Sequence, residues 1–257
     1  RRPPRSTLFP LHDALPICQL AVERGGTEIE SLLQRLSEYY SPNDVELVAR
    51  AFLLAEERHR PQNRASGEAY ITHPVAVAHI LADYRLDAPT MAAALLHDTV
   101  EDTETTLEEL EETFGQEICM LVDGVTKLTS ISSRQGRDAP TPRSKQQAQA
   151  ENLRKIFLAM ARDLRVILIK LADRLHNLRT LGAMRPQKQE SIATETLEIF
   201  APIASRLGVF QMKVELEDLS FRFRYPREYE ELCQGLDSLR PVLERAMEVA
   251  RTSRSEE

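Results

Sequence analysis

The sequence has no tryptophan, 5% aromatic residues and only 9 glycines in 257 positions. What remains dominant is Leu, Ala, Glu and Arg, residues that favour helix. Cysteine is sparse too: Cys18, Cys119 and Cys233 are odd in number and far apart. That excludes a disulfide framework and a cysteine-cluster zinc site, and it suits a reducing cytoplasm. There is no basic excess, with 33 Lys and Arg against 40 Asp and Glu and a net charge of -7. A general nucleic-acid binder needs positive charge to neutralise a phosphate backbone, so direct nucleic-acid binding is excluded. A small phosphorylated ligand is not, because a metal and two or three local cations would suffice. The longest apolar runs are about ten residues, too short to span a bilayer. The chain is therefore expected to be soluble and cytoplasmic, with no membrane partner.

Hydrophobic residues at 42% are enough for a substantial core, and 28% charged residues imply a well-solvated surface. Residues 1–17, with four prolines and no helical period, are expected to be a disordered or non-native tail; the string resembles translated sequencing-adapter sequence. Helical patterns follow from about Thr27. Ile29, Leu32, Leu33 and Leu36 lie three and four apart, an amphipathic stripe. Ser41-Pro42-Asn43-Asp44 opens a helix to about Arg60, and Pro61 to Thr72 is polar and glycine-containing, a loop. Pro74 and Pro89 suit first helical turns, where a missing N–H is harmless. Thr106 followed by Glu109 predicts a capping box. Ser130 to Ser144 reads as a mobile loop and Lys145 to Ala161 as helix. Leu164 to Thr180 contains RVILIKL, which would pass for a buried strand, but its length and its leucine spacing favour helix. Gln187 to Leu207, Val209 to Phe223 and Pro226 to Arg251 are further helices. No long-period repeat is present, so the chain is not a solenoid.

Against this background, His73, the pair His97-Asp98, and Asp173 are candidate metal ligands. Two imidazoles and two carboxylates suit a borderline-to-hard divalent cation such as Mn²⁺. On a continuous helix His97 and Glu101 would stack on one face, as would Asp98 and Asp102. Such extra carboxylates serve a water molecule that must attack phosphorus. An isolated His-Asp dipeptide is ordinarily a helix end with solvated acids. Here five apolar residues, Ala92 to Leu96, precede it, and a buried His-Asp pair needs a partner. Asp173 interrupts VILIKLADRLHNL, where an unpaired ionised carboxylate would cost several kcal/mol; the alternative is a surface pair with Arg174 or Arg179. Asn177 and Thr180 share its face. His73 stands at a loop-to-helix junction suited to phosphate oxygens, although a His before Pro is commonly a packing residue. Arg64 is a loop cation able to cover a purine or fork a phosphate. His59, His79 and His176 read as surface or packing histidines.

The segments RASGEAYITHP, LLHDTVEDT, VDGVTKL and VILIKLADRLHNLRTL together resemble the hydrolase domain of the RelA/SpoT-homologue family, the stringent-response enzymes. The resemblance covers roughly residues 27 to 225. It implies an all-α fold, an HD-domain superfamily bundle of roughly ten helices, with a hydrolase domain at 27–206 and a helical connection toward a synthetase domain at 207–257. It further implies Mn²⁺-dependent removal of the 3′-pyrophosphate of the alarmone (p)ppGpp to give GDP or GTP. His73, His97, Asp98 and Asp173 would hold the metal, and Glu101 and Asp102 would activate or orient water. Arg64, Ser66, Tyr70, Asn177 and Thr180 would contact the guanine nucleotide. The chain is accordingly expected to be a fragment of a bifunctional synthetase/hydrolase. Two other readings stay open: an HD phosphohydrolase acting on another nucleotide such as NADPH, and a silent alarmone-binding regulatory domain.

Overall fold

The computed structural model describes residues 16–133 and 162–255, which form two compact units divided between Ala183 and Met184. Regular structure among the described residues is helical, apart from one isolated bridge between Asn63 and Ala69. The all-α expectation holds. In the first unit the helices are α1 (Pro16–Ser37), α2 (Pro42–His59), α3 (Thr72–Ala82), α4 (Ala88–Leu96), α5 (Thr99–Asp102), α6 (Leu107–Phe114), α7 (Gln116–Ser133) and α8 (Leu164–Arg179). In the second they are α9 (Pro186–Glu195), a wide turn over Thr196–Phe200, α10 (Ala201–Leu207), α11 (Phe210–Arg224) and α12 (Pro226–Ser255). Helix starts at Pro16, earlier than Thr27 and inside the segment read as a tail, with a break at Gly26.

Local chemistry accounts for most boundaries. Ser41 and Asp44 form a reciprocal capping box at the start of α2. Asp87 caps α4 by accepting from Thr90 N, and Pro89 sits in the first turn. At α6 only half the expected box forms. Thr106 accepts from Glu109 N, but the Glu109 carboxylate is drawn to Arg58 of α2 instead. The segment that could have been a strand, Leu164 onward, is helix α8, capped by Asp163. The expected loop from Ser130 overlaps α7 as far as Ser133. Its remainder and the expected helix Lys145–Ala161 lie outside the described residues.

The core of the first unit lies where α2 packs on α1 and α4, and where α3 and α7 each pack on α4 and α8. Ile29, Leu32, Leu33 and Leu36 of α1 are fully buried, as are Phe52, Met91, Leu95 and Ile167. Each large side chain of this kind contributes roughly 1.5–3 kcal/mol. Close approach of α7 to α8 depends on Gly124, since a Cβ there would come within 2.8 Å of Val166 Cγ2. Arg165 pins three helix starts together. Its Nη1 lies 2.7 Å from both Asp87 Oδ2 and Glu117 Oε1, and its Nη2 lies 2.7 Å from Asp163 Oδ2. The starts of α4, α7 and α8 are thereby held in register, and α4 and α8 carry much of the site.

Candidate metal centre

Three stretches bring polar side chains into this core. The first is the α2–α3 connection, a small hairpin rather than an irregular loop. Arg64 N donates to Glu68 O and Tyr70 N to Gln62 O, and Gly67 N closes the turn onto Arg64 O. Gly67 has φ 91, the left-handed region where a side chain would be strained. This hairpin leaves Ser66 exposed in the turn, aims Arg64 inward, and delivers His73 to the first turn of α3.

The second stretch is the α4–α5 junction, which departs from expectation. The run MAAALLHDTVED is not one helix: α4 ends at Leu96, His97-Asp98 forms a turn, and α5 begins at Thr99. Two side chains divert the backbone ladder, since Thr99 Oγ1 donates to Leu96 O at 2.6 Å and His97 Nδ1 donates to Ala94 O at 2.7 Å. Asp98 thus becomes the residue that starts α5, and Glu101 and Asp102 stand exposed on that helix.

The third is α8. Asp173 is only 4% exposed, which rules out a surface pair. Its Oδ2 accepts from Lys170 Nζ at 2.5 Å and its Oδ1 accepts from Asn177 Nδ2 at 2.6 Å. Asp173 Oδ1 is also 3.1 Å from His73 Nε2 and 3.9 Å from His97 Nε2. His73 Nε2 lies 3.5 Å from Asp98 Oδ2, and His97 Nε2 lies 3.2 Å from Asp98 Oδ1. His73, His97 and Asp98 each offer a ligand atom within 4.8 Å of the others. Asp173 stands beside this trio through its Oδ1, so the four candidate ligands gather in one part of the core.

The donor set fits a cation. His97 gives its Nδ1–H to a backbone carbonyl, which turns the Nε2 lone pair inward. That Nε2 is buried and, although close to Asp98, makes no hydrogen bond. Two carboxylates and two inward nitrogens facing one another need positive charge between them. Without metal, His97 supplies it: burial opposes the imidazolium, but Asp98 and Asp173 outweigh burial and push its pKa up to about 9. Burial disfavours the Asp98 carboxylate, yet His97 holds it well below the usual range; Lys170 does the same for Asp173. Burial keeps His73 low.

Tyr70 OH lies 2.8 Å from Asp98 Oδ2 and 2.6 Å from Asp102 Oδ2, with its ring stacked on His59. Burial, then Asp98, raises its phenol, so it stays a donor to either carboxylate. Glu101 is raised by burial and by the charge of Asp98, against the pull of Lys170. Arg64 Nη2 donates to Asn177 Oδ1 at 2.8 Å. Asn177 thus bridges Arg64 and Asp173. Thr180 turns its hydroxyl back toward His176 O and Asn177 O.

Two participants were not anticipated from the sequence. His176, read as a surface or packing residue, stands 2.7 Å from His73 and 3.1 Å from Arg64 Nη1 through its Nδ1. Lys170 is buried against Asp173. Both lie three residues from Asp173 on α8, so one helical stripe contains Lys170, Asp173, His176 and Asn177. That spacing was the available signal. His59 is a packing residue, as read.

A family model described as an HD domain matches residues 51–210. The chain is 50% identical over 200 residues to the bifunctional (p)ppGpp synthase/hydrolase SpoT of Escherichia coli K12, spanning 78% of this chain and 27% of that protein. It is 48% identical over 211 residues to a guanosine-3′,5′-bis(diphosphate) 3′-pyrophosphohydrolase of Vibrio cholerae, spanning 82% and 29%. A GTP pyrophosphokinase of Myxococcus xanthus is 47% identical over 213 residues, spanning 83% and 27%. The chain thus spans less than a third of the length of these relatives. A solved structure described as a metazoan orthologue of SpoT aligns with TM-score 0.46 at 27% identity, covering 70% of this chain and 96% of that one.

Proposed function

This chain belongs to the HD-domain family, and from that premise we propose that it hydrolyses the 3′-pyrophosphate of ppGpp or pppGpp, releasing GDP or GTP and pyrophosphate. The observation that carries the reading is the meeting of His73, His97, Asp98 and Asp173 in the core, with the Nε2 of both histidines turned toward the two carboxylates. The names of relatives at about half identity support the substrate. Those four residues would hold a divalent cation, for which Mn²⁺ suits the mixed nitrogen and oxygen donors. A cation there lowers the pKa of water and offsets phosphoryl charge.

The chain's own groups supply the remainder. Water oxygen joins the phosphorus next to the ribose, the 3′ O–P bond breaks, and the 3′ oxygen takes a proton from solvent, to which Glu101 returns the one it removes. Glu101, its pKa raised by partial burial and by Asp98, takes the proton from water. Asp102 and Tyr70 orient that water through the hydroxyl they share. Arg64, with Ser66, Asn177 and Thr180, receives guanine and phosphate. This requires Arg64 to exchange its contacts with His176 and Asn177 for the nucleotide. The full protein would carry a synthetase domain, which the relatives' names support. Among the described residues no helix is long and apolar enough to cross a membrane. The free cysteines favour work in the cytoplasm.

Incubation of the purified chain with ppGpp, with and without Mn²⁺, tests the proposal by the products. GDP and pyrophosphate in the Mn²⁺ arm are expected. Faster turnover of NADPH or a deoxynucleoside triphosphate would move the substrate elsewhere, and bound ppGpp with no product despite bound metal would make this a silent alarmone-binding domain.

A further inference from the structure

His176 is half-buried on α8 and belongs to no ligand pair, yet two functional side chains converge on one of its atoms. His73 Nδ1 is 2.7 Å from His176 Nδ1, and Arg64 Nη1 is 3.1 Å from that same nitrogen. The protons in this triangle follow from what each group can do. A guanidinium has donors only, so Arg64 fixes His176 Nδ1 as an acceptor. Between the two facing imidazole nitrogens, His73 must then be the donor. With its single proton on Nδ1, neutral His73 turns the Nε2 lone pair toward Asp173 Oδ1, 3.1 Å away, two acceptors that only a cation between them would reconcile. His97 reaches the same tautomer by a different device, a backbone carbonyl.

We infer that His176 is a positioning residue: its Nδ1 lone pair, shared between the two donors, fixes His73 in the tautomer that turns Nε2 toward the cation and holds the Arg64 hairpin beside it. This rests on the metal reading above. His176 touches no ligand position itself and acts through His73. A side-chain acceptor serves here because His73 lies in the first turn of α3, where its ring faces α8.

The experiment has one arm without metal and one with it. In the metal-free wild-type chain, ¹⁵N-resolved NMR of the histidine rings is expected to find His73 carrying its proton on Nδ1; a proton on Nε2 alone overturns the inference, whatever the metal does. In the second arm Mn²⁺ affinity is measured by calorimetry on the full chain. His176→Phe and His176→Leu, which remove the acceptor, are expected to weaken Mn²⁺ binding by about 10- to 100-fold, the usual cost of losing a partner behind a ligand. His176→Asn places an amide oxygen near the Nδ1 position and is expected to stay within about threefold of wild type. Wild-type affinity in a folded H176F or H176L chain overturns the inference, as does equal loss in H176N with an unchanged melting temperature. A wild-type chain that binds no Mn²⁺ overturns the metal reading and this inference with it.

Discussion

The two compact units handle polarity differently. Up to Ala183 the core encloses His59, His73, His97, Lys170, Asp173 and Arg174; from Met184 onward the buried polar groups among the described residues are the hydroxyls of Thr196 and Ser220. Both units expose some large apolar side chains, Leu20, Met120 and Leu164 in the first and Phe210, Val214, Leu232, Leu236 and Leu239 among those of the second. These departures from the simple pattern differ in weight. A solvent-facing leucine is ordinary in any folded protein. An ionised side chain enclosed in a core costs several kcal/mol unless partners compensate. The first unit encloses such groups against one another, Lys170 with Asp173 and His97 with Asp98, at the point where the candidate ligands gather.

The most severe test of that contrast is Asp173→Ala. It leaves Lys170, Asn177 and His73 without their shared carboxylate. Hydrolysis of ppGpp is expected to fall below detection, with Mn²⁺ binding lost in calorimetry and about 3–5 kcal/mol removed from unfolding in denaturant. Wild-type metal affinity in this variant would mean that the buried charge serves packing alone, and the contrast between units would lose its functional meaning.

Next in size is Glu101→Gln, which keeps the side-chain shape and leaves the four proposed ligands untouched. Turnover is expected to drop by about 10²- to 10⁴-fold, the usual worth of a general base, at unchanged Mn²⁺ affinity. Rapid turnover would reassign the base.

The pH dependence of metal binding sharpens the comparison further. Because the metal-free His97 has its pKa raised to about 9, its proton occupies the site at neutral pH and must leave when a cation enters. Apparent Mn²⁺ affinity is therefore expected to rise with pH by about tenfold per unit from pH 7, and to level off near pH 9. Proton release on Mn²⁺ addition, followed in weakly buffered solution, checks the sign; binding that is independent of pH would contradict it.

The smallest effect belongs to the other unit. Leu236→Gln on α12, at a position 62% exposed, is expected to change stability by less than about 0.5 kcal/mol and hydrolysis not at all. Thermal melting and a ppGpp assay on the same sample read both.

Much of this was legible because it is local. The stripe of Ile29, Leu32, Leu33 and Leu36, the opening of α2 at Ser41-Pro42-Asn43-Asp44 and the place of Pro89 in the first turn of α4 all act within a few residues and appear where the spacing predicts them. The departures involve competition that spacing does not weigh. Glu109 could cap its own helix but meets Arg58 of α2. The run through His97-Asp98 reads as unbroken helix, yet the hydroxyl of Thr99 and the ring of His97 take carbonyls that continuing backbone would use. His176 reads in sequence as an ordinary packing histidine, because a histidine's role depends on which neighbours face its two nitrogens.

The sequence by itself determined the helical class, most helix starts, and the set of residues whose chemistry suits a divalent cation and a phosphorylated nucleotide. These follow from side-chain volume, backbone preference and ligand type, which each residue carries wherever it lies. Only the tertiary structure decided that Asp173 has Lys170 and Asn177 as partners, that Arg64 reaches Asn177 across 113 residues, and that His176 stands behind His73. Those meetings depend on α3, α4 and α8 packing at one depth in one core, and packing is settled by burial of the whole apolar surface rather than by any short stretch of chain.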